Sequence, residues 1–525
     1  MKIGIIGAGR VGCSIGKYLR TKDIELAGYY DVDSAAAKEA AEFTRTESFD
    51  SLKQLADQSQ IIFITTPDSF IIPVWEQLKE LSLRNQIICH CSGALSSDSF
   101  SGAKEAGVSC CSVHPMLPFS NKFSSYQQLE HAFYAEYGSG KPVIAILGEY
   151  DALPGLSQKV SDKKEAMKEG AAGHGCGHNL LGSASAVAAI AVKRFLENEG
   201  GEGTIRFYGC PEEELLSGKV KMAYYHMFDD CDMAISWHPM STNMVYDSGY
   251  LASASAHFEF KGKSSHAAFA PEVGRSALDA VELMNVGVNY LREHVTSKAR
   301  IHYTTESGGF SPNIVPPWAG SWYFVRAPYI SDVKEILERV KKVAEGASLM
   351  TETSMEMKID YGCCELLENH AYADLAYENL KEAELPEFTE EEMEFASKLE
   401  STIASENVER ARKLYDTEGL PLSTKLGARD LYQINPLTAS SDSGDVSHMM
   451  PMCLISTSCW PVAVSPHTWQ ATASTGSSIG AKGALSAAQV MAGIAYDLYK
   501  KPEIREKIMR EFCEKKEDYT PMYEA

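Results

Sequence analysis

Short apolar runs alternate with amphipathic stretches over the first 132 residues of the chain. The apolar runs have the length of strands, and the stretches between them repeat apolar residues with the period of a helix. Strands are predicted at 2–6, 25–30, 61–65 and 86–90, and helices at 11–20 and 34–43. Because strands that alternate with helices form parallel sheets, we predict a Rossmann-type parallel sheet domain over residues 1–132.

The pattern changes at residue 133, where two strands follow one another closely. Beyond it, strands are predicted at 133–137, 142–147, 204–210 and 233–237, and helices at 180–195 and 479–499. Residues 251–365 carry strands and two helices of their own, which predicts an inserted α+β domain. The flanking segments 133–250 and 366–525 would form one α/β domain around it. The acidic stretch 384–411 is typical of solvated helices.

Length, charge and cysteine content exclude several classes of function. A chain of 525 residues with 44% hydrophobic residues can bury more than one core. Its net charge of −22 predicts that neither nucleic acid nor an anionic membrane is a partner. Thirteen scattered cysteines fit no disulfide framework and indicate reduced thiols in the cytoplasm. We expect no secretory signal at the N-terminus and no transmembrane segment.

A glycine-rich turn follows the first predicted strand. Gly7, Gly9 and Gly12 form the pattern Gly-x-Gly-x-x-Gly at the start of a helix, and Asp31 closes the next strand. Glycines at these positions allow a tight turn and let a pyrophosphate approach the helix N-terminus. Asp31 could accept hydrogen bonds from a ribose diol, which favours NAD over NADP. The motif predicts an NAD(P)-binding domain; the alternative is a domain of the same fold that turns over no substrate.

A second chemical signature begins at residues 173–179, whose sequence is GHGCGHN. Cys176 and His178 lie two residues apart in this glycine-rich turn, directly before an apolar helix. Further candidate ligands follow predicted strands or lie near the C-terminus: the glutamates 212–214, His238 and His467. Thiolate, imidazole and carboxylate groups are the ligands of Zn²⁺ and Mn²⁺. The set is large enough for two divalent ions, and adjacent glutamates can divide metal binding from proton transfer.

Two resemblances to known families follow from longer motifs. Residues 1–135 resemble Rossmann-like proteins related to pyrroline-carboxylate reductase and prephenate dehydrogenase, through the motifs at 65–68, 90–96 and 114–119. Residues 134–525 resemble the co-catalytic metallopeptidase and aminoacylase superfamily, nearest the B-type amidohydrolases of aminobenzoyl-glutamate utilization. The motifs that carry this second resemblance are YGSGKP at 137–142, GEYDALPGLSQ at 148–158, the turn at 173–179, SWHP at 236–239, LMNVGVNYLRE at 283–293, PNIVP at 312–316, DSGDVS at 442–447 and PHTWQ at 466–470.

The second resemblance implies a role for each candidate residue of the metal site. It implies that Glu213 is the general base and acid, and that Asp151 orients a ligand. It implies that Cys176 bridges the two ions. The implied metal ligands are Cys176, His178, Glu214, His238 and His467.

The same resemblance implies that the inserted domain is a lid and a dimerisation domain. Within it, His266 would reach the active site of the other protomer in a homodimer and stabilise the tetrahedral oxyanion. Asn313 and Arg326 would contact the substrate. The expected fold is thus an N-terminal Rossmann-type domain fused to a two-domain α/β metallohydrolase.

The activity implied is metal-dependent hydrolysis of an amide between an acyl or aroyl group and an amino acid, with aminobenzoyl-glutamate as an example. Relatives carry an opening segment before the strand at 133–137, and here a Rossmann-type domain stands in its place. Two alternatives stay open: an NAD(P)-dependent oxidoreductase in which residues 134–525 are a scaffold, and a catalytically inactive chimera of two truncated enzymes.

Overall fold

The computed structural model describes residues 2–22, 24–92, 95, 99–115, 122–123, 132–200, 202–246, 250–429 and 439–523. The motifs at 90–96 and 114–119 lie partly outside the described residues. Within these ranges the chain is a mixed α/β protein with two sheets. The fold class predicted from the sequence is confirmed.

The strands of the larger sheet come from both halves of the chain. They are β1 (Ile3–Ile6), β2 (Leu26–Tyr30), β3 (Glu47–Ser48), β4 (Ile61–Ile64), β5 (Ile87–His90), β6 (Ser109–Pro115), β7 (Phe133–Ser139), β8 (Val143–Glu149), β9 (Gly203–Cys210), β10 (Met233–Met240), β11 (Met244–Tyr246) and β16 (Met452–Ser458). The smaller sheet contains β12 (Ala252–Lys261), β13 (Arg300–Ser307), β14 (Trp318–Ala327) and β15 (Ser354–Cys363).

The helices cover both faces of the larger sheet and one face of the smaller. They are α1 (Arg10–Thr21), α2 (Ser34–Thr44), α3 (Leu52–Asp57), α4 (Asp68–Lys79), α5 (His178–Glu199), α6 (Gly218–Tyr224), α7 (Ala277–Leu291), α8 (Ile330–Thr351), α9 (His370–Glu382), α10 (Glu390–Glu400), α11 (Ser405–Leu414), α12 (Ser443–Met449), α13 (Trp469–Thr475), α14 (Ser478–Lys500) and α15 (Pro502–Lys515).

The N-terminal strands pair in the order β6-β5-β4-β1-β2-β3, all parallel. This is the strand order of a Rossmann sheet, in which ligands bind at the carboxyl ends of the strands. Helices α1 and α2 cover one face and α3 and α4 the other, each over its own apolar cluster. Trp75 and Tyr29 are fully buried in these clusters.

Strand β7 joins the two halves into one sheet of 12 strands. It pairs antiparallel to β6 on one side and antiparallel to β9 on the other. Strands β9, β8, β10 and β16 then continue in parallel, and β11 ends the sheet antiparallel to β16. Apart from β7 and β11, all strands therefore run in one direction, so the loops after β1 and after β8 lie at the same edge of the sheet.

The second half of the large sheet is buried on both faces. Helices α5, α9 and α14 cover one face, and α6 and α12 cover the other. Helix α5 is long and apolar enough to cross a membrane by length and composition, but it packs on β8 and α14 as a core helix. Val187 and Ile190, on the other side of α5, are 49% and 52% exposed.

The four strands of the smaller sheet are antiparallel in the order β13-β14-β12-β15. Every second side chain of β12 and β14 points towards α7 and α8, which form one buried core with them. This unit is the inserted α+β segment that the sequence predicts. The sequence pattern does not reveal β6, β13 or β16, and the boundaries proposed at 132, 250 and 365 stay predictions.

A buried arginine ties β7 and β9 to the loop before β10. Arg206 is 6% exposed, and its guanidinium donates to Glu136 Oε2 at 2.6 and 2.9 Å and to both carboxylate oxygens of Asp230 at 2.7 and 2.9 Å. The pair with Asp230 fixes geometry, and removal of the buried arginine is costly because the Glu136 carboxylate, 18% exposed, loses this partner.

We expect Arg206→Met to lower the free energy of unfolding by about 3 kcal/mol, because it removes the buried partner of Glu136. Chemical denaturation followed by circular dichroism measures this change. The control is Lys53→Met, which removes an exposed pair with Asp57 at 2.5 Å and should change stability by less than about 0.5 kcal/mol. Equal unfolding midpoints for the two variants would contradict the prediction.

Candidate functional site

A cluster of ionisable side chains lies at the carboxyl ends of β8, β9 and β10. Glu149 is the last residue of β8, and His238 lies near the end of β10 at the same edge. The segment after β9 supplies Glu213 and Glu214, the turn before α5 supplies Cys176, and the first residue of α5 is His178. Parallel strands bring these residues together because their carboxyl ends meet at one edge of the sheet.

Glycines shape the turn that carries Cys176. A Cβ atom on Gly173 would lie 2.0 Å from the carbonyl oxygen of Leu156, so only glycine fits there. Gly177 has a φ of +79°, in the left-handed region, and leads directly into α5. The carbonyl oxygen of Gly175 accepts a hydrogen bond of 2.9 Å from the backbone N–H of His467. The turn thereby fixes the C-terminal loop of His467 beside Cys176.

The five sequence-predicted ligands form two groups that share one sulfur atom. Cys176, His178 and His238 bring three donor atoms within 4.8 Å of one another, and so do Cys176, Glu214 and His467. The sulfur of Cys176 lies 3.5 Å from His238 Nε2, and His467 Nε2 lies 3.2 Å from Glu214 Oε2. The structure therefore brings all five residues together, with Cys176 between the two groups.

Asp151 contacts a member of each group. Its Oδ1 lies 2.8 Å from His178 Nδ1, and its Oδ2 accepts a hydrogen bond of 2.9 Å from the backbone N–H of Glu214. His178 is fully buried. This arrangement leaves His178 Nε2 directed into the cluster and couples the position of its ring to that of the 213–214 segment.

A buried network lies beneath the two groups, and the sequence interpretation missed it. Lys219 Nζ lies 2.7 Å from Glu149 Oε1 and 2.6 Å from Asp442 Oδ1. All three side chains are at most 3% exposed. Glu149 also forms a third compact group with His178 and Glu213. The sequence carries no local signal for this network, because Lys219 and Asp442 are 223 residues apart.

The electrostatic environment of Glu213 differs from that of the predicted ligand residues. Burial, with the neighbouring Glu149 carboxylate, raises the pKa of Glu213 well above its usual value. Burial also acts to raise the pKa of Cys176, but His238 and the other imidazoles around the sulfur outweigh it and hold this pKa well below normal. Burial acts to lower the pKa of His238, but the Cys176 thiolate outweighs it and raises this pKa to about 9.

The remaining predicted residues lie on the inserted domain and outside the donor groups: His266, Asn313 and Arg326. His266 is exposed, and its Nδ1 accepts hydrogen bonds of 3.2 and 3.1 Å from the backbone N–H groups of Ala268 and Phe269. Asn313 is exposed on the adjacent strand-like segment, where its carbonyl oxygen accepts a hydrogen bond from Ala267 N–H. Arg326 lies on β14, and its buried Nε takes part in no hydrogen bond within the described residues.

The glycine-rich turn of the N-terminal half has the geometry that its motif predicts. Gly7 has a φ of +102°, and a Cβ on Gly12 would lie 2.0 Å from the Gly7 carbonyl oxygen. A Cβ on Gly9 would meet nothing within 4 Å, so the approach to the N-terminus of α1 is open. Asp31 accepts hydrogen bonds from the N–H of Ala8 at 2.7 Å and, through its other oxygen, from its own loop at 2.9 Å.

Comparisons with known proteins match both halves of the chain. Residues 1–115 match a Rossmann-like domain, and residues 252–349 match a peptidase dimerisation domain of the M20 type. The B-type component of p-aminobenzoyl-glutamate hydrolase from Escherichia coli strain K12 is 43% identical over 385 residues, which cover 71% of this chain and 80% of that protein. The Xaa-Arg dipeptidase of Mus musculus is 27% identical over 381 residues, covering 71% of this chain and 74% of the relative.

A solved structure agrees with the fold. A protein of methicillin-resistant Staphylococcus aureus that is designated an aminohydrolase superposes with a TM-score of 0.50 at 17% identity, over 70% of this chain and 84% of that one. The similarity to the Escherichia coli relative extends over most of that protein and is high enough to establish common membership. The chain therefore belongs to the M20 family of metallopeptidases and amidohydrolases, and it carries a Rossmann-like domain on its catalytic sheet.

Proposed function

We propose that this protein is a metal-dependent amidohydrolase that cleaves the amide between an acyl or aroyl group and an amino acid. The observation that carries the proposal is the pair of donor groups that share Cys176 at the carboxyl edge of the sheet. One sulfur that serves two groups is suited to two adjacent divalent ions. The Escherichia coli hydrolase relative makes aminobenzoyl-glutamate the first substrate to test.

The donor set fits divalent ions chemically. Sulfur, imidazole and carboxylate donors together suit Zn²⁺ or Mn²⁺. His178 Nε2 is buried and takes part in no hydrogen bond within the described residues, as expected of an atom that is directed at a cation. Such ions supply Lewis-acid chemistry, which polarises a carbonyl group and activates water. The residues that would hold them are Cys176, His178, His238, Glu214 and His467.

Glu213 is placed to move the proton of the reaction. It is next in sequence to the ligand Glu214, is 8% exposed and lies 3.8 Å from His178 Nε2. Because burial and Glu149 raise the pKa of Glu213, its carboxylate holds a proton well. We assign it to accept the proton of the attacking water and to deliver that proton to the nitrogen of the leaving amine.

We propose that the inserted domain forms a homodimer in which His266 serves the active site of the other protomer. The backbone N–H groups of Ala268 and Phe269 occupy Nδ1 of His266, which leaves Nε2–H as a donor towards an oxyanion. Phe269 and Phe310 are 87% and 83% exposed on the same domain, as expected of a contact surface. This proposal is supported by the match to a dimerisation domain.

A net charge of −22 repels the carboxylates of a substrate, so a cationic side chain near the site must bind them. The guanidinium of Arg326 has a buried Nε that takes part in no hydrogen bond within the described part of the chain. We propose Arg326 for this contact because guanidinium groups bind carboxylates with two parallel hydrogen bonds. Asn313 is proposed as a second, neutral contact from the same domain.

A second proposal concerns the N-terminal half, which we infer binds NAD. The open approach at Gly9 supports this, because a pyrophosphate needs close contact with the helix N-terminus. Each oxygen of Asp31 accepts one backbone hydrogen bond and keeps a further lone pair for a ribose hydroxyl. Hydrolysis at the other site does not depend on this cofactor.

The function is tested by the release of aminobenzoate and free glutamate from aminobenzoyl-glutamate by the full chain. We expect release with Mn²⁺ or Zn²⁺ and none after treatment with a chelator, because the ions activate the water. The melting temperature should rise when metal is restored, since only a formed site gains stability from the ion. A folded, metal-loaded protein that releases no free amino acid from any acyl–amino acid amide tested would refute the proposal.

Replacement of Glu213 by Gln should lower kcat by about 10²- to 10⁴-fold, because the proton acceptor is lost while the shape is kept. Metal content and KM should stay close to those of the wild type. The matched control is Glu212→Gln, whose carboxylate binds Ser217 and Lys221 instead of facing the cluster. A Glu213→Gln protein with full activity, or equal losses in both variants, would remove Glu213 from this role.

NADH fluorescence should change saturably when the cofactor is titrated against the full chain. Gly9→Asp should abolish this change, because its carboxylate would stand where the pyrophosphate approaches. The substitution suits the backbone, since Gly9 has a φ of −76° and space around its Cβ position. Hydrolysis by this variant should be unaffected. Binding that is equal in the two proteins, or none to the wild type, would contradict the proposal.

A further inference from the structure

We propose that Glu149 is an additional ligand of the metal centre, on the ion that His178 also binds. This inference rests on the proposed function, because it assumes that divalent ions bind at the cluster. It adds a residue that the sequence motif does not single out, at the last position of β8.

One oxygen of Glu149 and one nitrogen of His178 face each other in the buried part of the site. Glu149 Oε2 lies 3.3 Å from His178 Nε2, yet neither atom takes part in a hydrogen bond within the described residues. Both side chains are at most 3% exposed, so bulk water does not solvate these atoms. Unsatisfied buried polar atoms are costly and are rare in native proteins unless a ligand or ion meets them.

The contacts of the His178 ring direct its Nε2 at Glu149. Asp151 Oδ1 lies 2.8 Å from His178 Nδ1, so Nε2 is the ring nitrogen left to face Glu149 Oε2. Imidazole nitrogen and carboxylate oxygen are both ligands of Zn²⁺, and a separation of 3.3 Å allows one ion to contact both atoms.

The other oxygen of Glu149 is already held. Lys219 Nζ lies 2.7 Å from Glu149 Oε1, and Lys219 is itself anchored by Asp442 through both its ammonium group at 2.6 Å and its backbone N–H at 2.7 Å. One ammonium group thus stands between two buried carboxylates. Their excess negative charge favours a cation on the free side of Glu149, where Oε2 is turned towards His178.

The inference is tested by measuring the Zn²⁺ affinity of the full chain and of two Glu149 variants, which change the charge or the length of the side chain. Glu149→Gln keeps the shape and loses the charge, and Glu149→Asp keeps the charge but is one methylene shorter. If Glu149 is a ligand, both variants should bind one of the two ions about 10- to 100-fold more weakly than the wild type. Competition with a chromogenic chelator gives the affinities, and elemental analysis gives the ions per chain.

The control is Asp445→Asn, which removes another fully buried carboxylate that is bound by Cys364 N–H and Tyr519 and stands outside the ligand groups. Its Zn²⁺ affinity should equal that of the wild type. Circular dichroism of the metal-free proteins establishes that each is folded, and the conservative Glu149→Asp variant provides the measurement if Glu149→Gln does not fold.

The outcomes separate this inference from the proposed function. A wild-type chain that binds no Zn²⁺ would overturn both. If the wild type binds two ions and either Glu149 variant binds both with wild-type affinity, the ligand role is overturned and the proposed function stands. Full affinity in Glu149→Asp would mean that the negative charge is needed and the length of the side chain is not. Weakened binding of one ion in both variants, with a normal Asp445→Asn control, would support the ligand role.

Discussion

The concentration of buried negative charge at the carboxyl edge of the catalytic strands constrains the rest of the site. Glu149, Glu213 and Asp442 are buried around the single ammonium group of Lys219, and the Cys176 thiolate lies above them. Charges can be kept in such a place only if cations or protons compensate them. The burial that raises the pKa of Glu213 and the imidazole environment that lowers that of Cys176 are two responses to this constraint.

The continuous sheet explains how two folds can share one chain. Strand β7 has antiparallel neighbours on both sides, so its backbone donors and acceptors are satisfied by a Rossmann strand and by a hydrolase strand alike. A junction of this kind leaves no sheet edge between the halves, and edges are where sheets associate wrongly. The continuous sheet also places the loop after β1 and the loop after β8 at the same edge, with the strands β9, β7, β6, β5 and β4 between them.

The sequence predicts the parts of this structure that local pattern determines. The glycine turn before α5, the strand ends that carry Glu214 and His238, and the Rossmann motif are each read from a short segment. The sequence pattern does not predict strand β13, because its residues are mostly exposed and polar and its pairing depends on distant segments. The network of Lys219, Glu149 and Asp442 is not predicted for a similar reason: Lys219 and Asp442 are 223 residues apart, and only the fold makes them neighbours.

Both donor groups of the proposed metal centre share Cys176, so loss of its sulfur atom would remove a donor from each group. Thiolates are the form of cysteine that peroxides attack, and the imidazoles around Cys176 favour its thiolate. Conversion of that sulfur to a sulfinic acid would disable both groups at once, whereas loss of any other donor would leave one intact. The metal ions of the proposed function would shield this atom, and the resistance of the protein to oxidants would then depend on its metal supply.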